Sequence, residues 1–222
     1  MMDSQRSKLI LASGSPRRAQ ILTKASIEID VVPAEIDEGE ILESGGELRD
    51  AVQQLALAKA EAIAGFRPGE FVLGADTIVV LDGDILGKPE SLEQATEMLG
   101  RLSGRQHEVV TGVAIVNPAG DTHTKHVSTS VVFRNLDDKA VVDYVSSGSP
   151  FDKAGGYGIQ DRSFAPVASY DECYLNVVGL PMCATNELLE QSGFLGIGVS
   201  ECAGHDAFAA GSDKRVESRS SE

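Results

Sequence analysis

Apolar and polar positions along most of the chain alternate with the periods of short strands and helices, punctuated by glycine and proline. Residues 8–12 form an apolar run that predicts a strand, and Pro16 falls where the first turn of a helix tolerates proline, with Ser15 as its N-cap. That helix directs Ile21, Leu22 and Ala25 inward, residues 28–32 predict a second strand, and residues 34–46 are polar and acidic. From Glu47 to Ala64 a helical period places Leu48, Ala51, Val52, Leu55, Ala62 and Ile63 on one face, with Lys59 in the middle of that stripe. Residues 70–81 predict a long strand, Asp82-Gly83 a two-residue hairpin turn, and residues 84–86 the returning strand. Residues 91–102 predict a helix with Leu92, Ala95, Met98, Leu99 and Leu102 inward, stopped near Gly104.

Residues 107–116 and 125–134 predict two strands joined through the turn-rich Asn117-Pro118-Ala119-Gly120-Asp121, and residues 136–145 a helix. Residues 146–161 read as a Gly- and Ser-rich loop, extended at 157–159. Strands near 164–168 and 174–178 and a helix from Pro181 to about Gln191 complete the pattern. Helices alternating with strands that include hairpins imply an α/β fold with a mixed sheet and flanking helices. Residues 1–194 are expected to form a single domain. Beyond Phe194 the periodicity gives way to Gly, Ala, Ser and scattered charge, so residues 195–222 are expected to be a disordered tail.

Composition narrows the function. With 42% hydrophobic residues, 222 residues can bury one sizeable core. A net charge of -15 repels a nucleic-acid backbone but leaves room for a small phosphorylated ligand where cations converge. No run approaches the roughly 18 apolar residues of a membrane span, and residues 1–6 open no signal-peptide core, which implies a soluble, cytoplasmic protein. Cys173, Cys183 and Cys202 show no C-x-x-C spacing and read as incidental. His107, His123 and His126 have no partner at metal-ligand spacing and read as surface or satisfied histidines.

Five segments carry candidate chemistry. Ser13-Gly14-Ser15-Pro16-Arg17-Arg18 joins a strand to a helix start, where free N–H groups and the positive end of the helix dipole suit an anion. It reads equally as an ordinary capped helix with two exposed arginines. Lys59, on an apolar stripe, either snorkels out of the core edge or supplies a cation to a cleft. Asp76 shares a strand face with Val72, Gly74, Ile78 and Val80, so its carboxylate must be ion-paired, metal-bound or used as a base, with open space expected beside Gly74. Lys88, in Gly87-Lys88-Pro89, is a further cation past the hairpin, and Gln160 closes a glycine-rich segment where its amide could read a base edge.

In this order, with Glu38 in the acidic stretch, Leu102-Ser103-Gly104, Asp152-Lys153-Ala154-Gly155-Gly156-Tyr157-Gly158-Ile159-Gln160 and Val178-Gly179-Leu180-Pro181, these segments resemble the Maf family of nucleotide pyrophosphatases from about Lys8 to Phe194. The resemblance implies a fold similar to inosine triphosphate pyrophosphatase, two lobes around a deep cleft, and often a homodimer. It also implies hydrolysis of a nucleoside triphosphate to monophosphate and pyrophosphate with a divalent metal, Mg2+ or Mn2+. On that pattern Asp76 is catalytic, Glu38 and Asp76 hold the metal, and Ser13, Ser15, Arg17, Arg18, Lys59 and Lys88 bind the phosphates. Thr77, Gln160 and Arg17 select the base, and Thr77 with the Gly-Ile-Gln ending resembles the branch acting on dTTP and UTP. Gly156 stands where the family more often has Ala, and Asp161 where it tends to have Gly. A nucleotide-binding regulator of cell division without turnover would use the same phosphate loop and would not need Asp76.

Overall fold

The computed structural model describes residues 8–42 and 47–195. One seven-stranded mixed sheet organises them, in the order β2-β1-β3-β5-β6-β7, with β4 on the edge of β3. Strand β1 (Leu9–Leu11) pairs in parallel with β2 (Ile29–Val31) and with β3 (Phe71–Leu81). The remaining pairings are antiparallel: β3 with β4 (Asp84–Leu86) and β5 (Gln106–Val116), β5 with β6 (Thr122–Phe133), and β6 with β7 (Val167–Tyr170).

The register of β3 locates the cleft. One edge pairs with β5 from Val72 to Val80 without a break. The other edge meets β1 only over Phe71–Leu73 and β4 only over Val79–Leu81. Residues 74–78 therefore lie in a gap between two neighbours, just past the carboxyl end of β1, where α/β sheets commonly bind ligands.

Both faces of the sheet change at that gap. On one face Leu73 and Ala75 belong to an apolar cluster with Leu9, Leu22, Leu175 and Leu188, whereas Val79 and Leu81 belong to another with Leu99, Phe133, Tyr144 and Phe164. Thr77 stands between them. On the other face helix α3 (Leu48–Ala64) covers Val72 with Ala56 and Ala60, and Ile78 and Val80 with Val52. Asp76 stands between these two groups. Two lobes thus part along one line, marked on each face by a polar residue of β3.

Helix α1 (Pro16–Lys24) follows β1 with Ser15 as its N-cap and buries Ile21 and Leu22. Helices α4 (Leu92–Leu102), α5 (Asp138–Ser146) and α7 (Met182–Gln191) form near the expected positions, the first two capped by the side chains of Ser91 and Asp137 and the third preceded by Pro181. Several expectations are corrected. Residues 174–178 are helix α6 (Tyr174–Val178), not a strand: Cys173 caps its start and Gly179 its end, at φ 119, and one helical turn is too short to display a period. The last strand starts at Val167, not at 164, and Phe164 is buried ahead of it. The acidic stretch contains a short helix, α2 (Glu38–Leu42). Leu92 is exposed, because it opens α4 on the side away from the core. On α3 the buried stripe runs through Ala56 and Ala60 rather than Ala62 and Leu48.

The space expected beside Gly74 is filled by backbone. A Cβ there would lie 2.0 Å from the carbonyl oxygen of Ala56, and one at Gly112, its neighbour on β5, 2.2 Å from that of Val52. These glycines let α3 press directly on the sheet. Two short 3-10 turns, Ser149–Asp152 and Ala154–Gly156, close over the cleft from the second lobe. Apart from Leu195, the expected tail lies outside the described residues, as does Cys202. Cys173 is half-buried and Cys183 exposed.

Candidate functional site

The gap in β3 opens into a cleft of about 820 Å³. All ten residues singled out from the sequence line it: Ser13, Ser15, Arg17, Arg18, Glu38, Lys59, Asp76, Thr77, Lys88 and Gln160. Leu102-Ser103-Gly104 does not line it. That motif is structural: Gly104 holds φ 68 against Asn135, and Ser103 Oγ accepts from the Leu136 amide.

On the α3 side, Lys59 reaches the gap from the middle of the helix and is nine-tenths buried, so it does not snorkel. Its ammonium donates to Asp76 Oδ1 and lies 2.7 Å from Glu38 Oε1. Asp76 is thus ion-paired, but inside the cleft rather than away from it. Burial pushes the Glu38 carboxyl up, yet the hydrogen bond and charge of Lys59, with Lys88 and Arg18, outweigh it and hold Glu38 below its ordinary value.

On the opposite face Arg18 is fixed by neutral oxygens. Its Nε donates to the Gly179 carbonyl at 2.8 Å, Nη1 to Ser13 Oγ at 2.8 Å and Nη2 to Thr77 Oγ1 at 3.0 Å. Burial lowers its pKa, opposed by the nearby charges of Asp76 and Glu38. Ser13 Oγ also accepts from the Ser15 amide, and Ser15 Oγ caps the Arg18 amide, so both serines shape the loop around the arginine. Arg17 turns the other way and pairs with Asp152 at 2.5 Å, clasping the glycine-rich segment across the cleft mouth. Lys153 pairs with the same carboxylate. Burial raises Asp152, but Lys153 and Arg17 together hold it below its usual range. Lys88 is exposed at the rim and forms no ion pair among the described residues; beside it the Gly87 carbonyl accepts from the Gly155 amide at 2.9 Å, tying the lobe's two loops together.

Gly155 and Gly156 have φ 69 and 71, a backbone that a side chain rarely adopts. Asp161, where glycine was expected, turns its carboxylate onto Ser163 and the Phe164 amide, so its charge is spent on a turn. Sequence reading missed Asp152 and Lys153 as lining groups with partners of their own; their neighbours Gly155 and Gly156 were the available signal.

Five cations (Arg17, Arg18, Lys59, Lys88, Lys153) and four carboxylates (Glu38, Asp76, Asp152, Asp161) line the cleft, a balance of +1 on a chain of net charge -15. A second cavity of about 800 Å³ is lined by Arg49 against Asp82, Glu108, Asp171 and Glu172, so of these two the cleft is the one whose charge suits an anionic ligand, and a triphosphate exceeds what one surplus cation neutralises. The residues fit a divalent ion: Glu38 and Asp76 offer hard oxygen donors that already share one cation, the Lys59 ammonium.

Fold and site together define an α/β protein whose cleft gathers cations and carboxylates at one gap in the sheet. The family model described as Maf-like protein matches residues 8–192, and the chain belongs to that family. It is 46% identical over 193 residues to a dTTP/UTP pyrophosphatase of Geotalea uraniireducens, covering 86% of this chain and 98% of that protein. It is 49% identical over 189 residues to a dTTP/UTP pyrophosphatase of Symbiobacterium thermophilum, covering 84% and 95%. Among solved structures, the Ham1 protein of Staphylococcus aureus aligns with a TM-score of 0.44 at 16% identity, over 72% of this chain and 80% of that one. No helix among the described residues is long and apolar enough to cross a membrane.

Proposed function

We propose that this chain hydrolyses nucleoside triphosphates, dTTP and UTP foremost, to the monophosphate and pyrophosphate. One observation carries the reading: cations from β1–α1, α3 and the β4–α4 loop meet two carboxylates where one edge of β3 is left unpaired. The near-full-length likeness to proteins named dTTP/UTP pyrophosphatase supports the same substrate class.

Water attacks the α phosphorus, the bond from that phosphorus to the bridging oxygen breaks, and pyrophosphate leaves with the added charge. Asp76 accepts the water's proton. Its Oδ1 is held by Lys59, which fixes the carboxylate and leaves Oδ2 for that work. Arg18, whose guanidinium keeps N–H groups beyond the three used within the protein, and Lys88 hold the phosphates, with Arg17 and Lys59 at the sides. Ser13 and Ser15 keep the phosphate loop in shape. Glu38 and Asp76 would hold a divalent metal, Mg2+ or Mn2+, which when bound neutralises phosphate charge and orients water. Thr77 and Gln160 face the base, and Arg17 holds through Asp152 the segment that carries Gln160. A small nucleotide in the cytoplasm, rather than a nucleic acid, is the partner.

Incubation with a panel of triphosphates and Mg2+ or Mn2+, with pyrophosphate and monophosphate quantified, tests this. Equal amounts of the two from UTP or dTTP are expected. Binding without release of pyrophosphate from any triphosphate would instead identify a regulator.

A further inference from the structure

A chain of buried hydrogen bonds runs from the cleft into the core behind Thr77. Thr77 Oγ1 lies 2.9 Å from Thr111 Oγ1 on β5, and Thr111 Oγ1 lies 3.2 Å from the Asn176 carbonyl on α6. Asn176 is itself anchored, its Nδ2 donating at 2.9 Å to both the Val109 carbonyl and Thr129 Oγ1. Thr111 and Asn176 are fully buried, and neither lines the cleft.

The polarity of this chain follows from its ends. A carbonyl only accepts, so the single hydroxyl proton of Thr111 goes to Asn176. Between the two threonines, Thr77 must then donate. The other acceptor within reach of the Thr77 proton, the Gly179 carbonyl, is 3.5 Å away, against 2.9 Å to Thr111 Oγ1. Arg18 Nη2 donates to Thr77 from the other side. One proton and one lone pair of the Thr77 hydroxyl are thereby spent inside the protein, and what remains for a ligand is a lone pair.

We infer that Thr111 is a positioning residue that wires the Thr77 hydroxyl as an obligate acceptor, so that the cleft takes a base presenting an N–H there, the N3–H of uracil or thymine, and rejects the bare N3 of cytosine. The inference rests on the proposed nucleotide site and on Thr77 facing the base. It adds a residue outside the cleft whose hydrogen-bond direction, not its bulk, sets the choice. Leaving two acceptors opposed in a closed site costs enough to separate the two bases by about tenfold or more.

The test compares kcat/KM for UTP and CTP in the native chain, Thr111→Ser and Thr111→Val. Valine keeps the volume and removes the acceptor, which frees the Thr77 proton to turn toward the ligand. The UTP/CTP ratio is expected to stay within about twofold in Thr111→Ser and to fall about tenfold in Thr111→Val, through KM rather than kcat. In a Thr77→Val background the Thr111→Val effect on the ratio should vanish. Thr111→Ala carries the same expectation should the valine variant not fold. An unchanged ratio in a folded Thr111→Val or Thr111→Ala protein overturns the inference. Calorimetric dissociation constants for UMP and CMP read the same preference without turnover. If no triphosphate is hydrolysed yet UMP binding keeps its Thr111 dependence, the proposed activity fails and the inference stands; equal binding of UMP and CMP by the native chain overturns the inference.

Discussion

Replacing Gly74 by Ala tests how the site is held together. The new Cβ would lie 2.0 Å from the Ala56 carbonyl oxygen, 2.9 Å from the Ala60 amide nitrogen and 3.1 Å from the Ala56 carbonyl carbon. These atoms are backbone and cannot rotate away, so α3 must retreat by about 1 Å to restore a 3.0 Å contact. Overpacking of this kind costs about 1–3 kcal/mol, and the backbone setting puts this case at the upper end. For a chain of this size about 3 kcal/mol lowers Tm by roughly 6–12 °C. The same movement carries Lys59, one turn beyond Ala56, away from Asp76, which lies two residues along the strand on the same face. Loss of pyrophosphate release should therefore exceed what the fraction unfolded explains. Thermal unfolding followed by circular dichroism, and turnover well below the new Tm, measure the two effects. Gly112→Ala, 2.2 Å from the Val52 carbonyl, should destabilise comparably. A Gly74→Ala protein that melts within a degree of the native chain would refute the account of how α3 meets the sheet.

His107, buried and bonded through Nε2 to the Tyr157 hydroxyl at 2.7 Å, has its pKa pushed down to about 4 by burial. The folded chain then binds fewer protons there than the unfolded chain between pH 6.5 and about 4, so the stability it contributes is present above 6.5 and lost as pH falls through that window. Its imidazole NMR signals should not titrate above pH 5, and a midpoint near 6.5 would contradict the burial argument. Glu38 has a folded pKa below its ordinary 4.5, so its contribution is present above 4.5 and fades as pH falls lower; Glu38→Gln should flatten that acid limb in chemical denaturation. Asp152→Asn breaks a partly exposed pair with Arg17, so stability should change by less than about 1 kcal/mol while KM rises as the Gln160 segment loosens; an unchanged KM would show that the clasp does not shape the cleft.

The parts of the site legible in the sequence were those that break a local pattern. Lys59 interrupts an apolar helical stripe and Asp76 an apolar strand face, and both interruptions mark where the core divides on that face of the sheet. The strand–loop–helix at Ser13 was visible because Pro16 and Ser15 declare a helix start. What stayed hidden depends on contacts between distant segments. Nothing local ties Arg17 to Asp152, or tells that Gly74 admits a helix backbone rather than a ligand. Residues 174–178 looked extended because aromatic and β-branched side chains dominate a segment of only one helical turn, and its caps, not its composition, decide the outcome.

In the proposed function the carboxylate in the gap of β3 performs the chemistry while the rest of the cleft binds. Asp76→Asn keeps the size of the side chain and a hydrogen-bond acceptor for Lys59, whose charge Glu38 still offsets. Steady-state pyrophosphate release from UTP by a folded Asp76→Asn protein should fall by about a hundredfold or more in kcat, with UMP still bound. Turnover near the native rate would contradict the account.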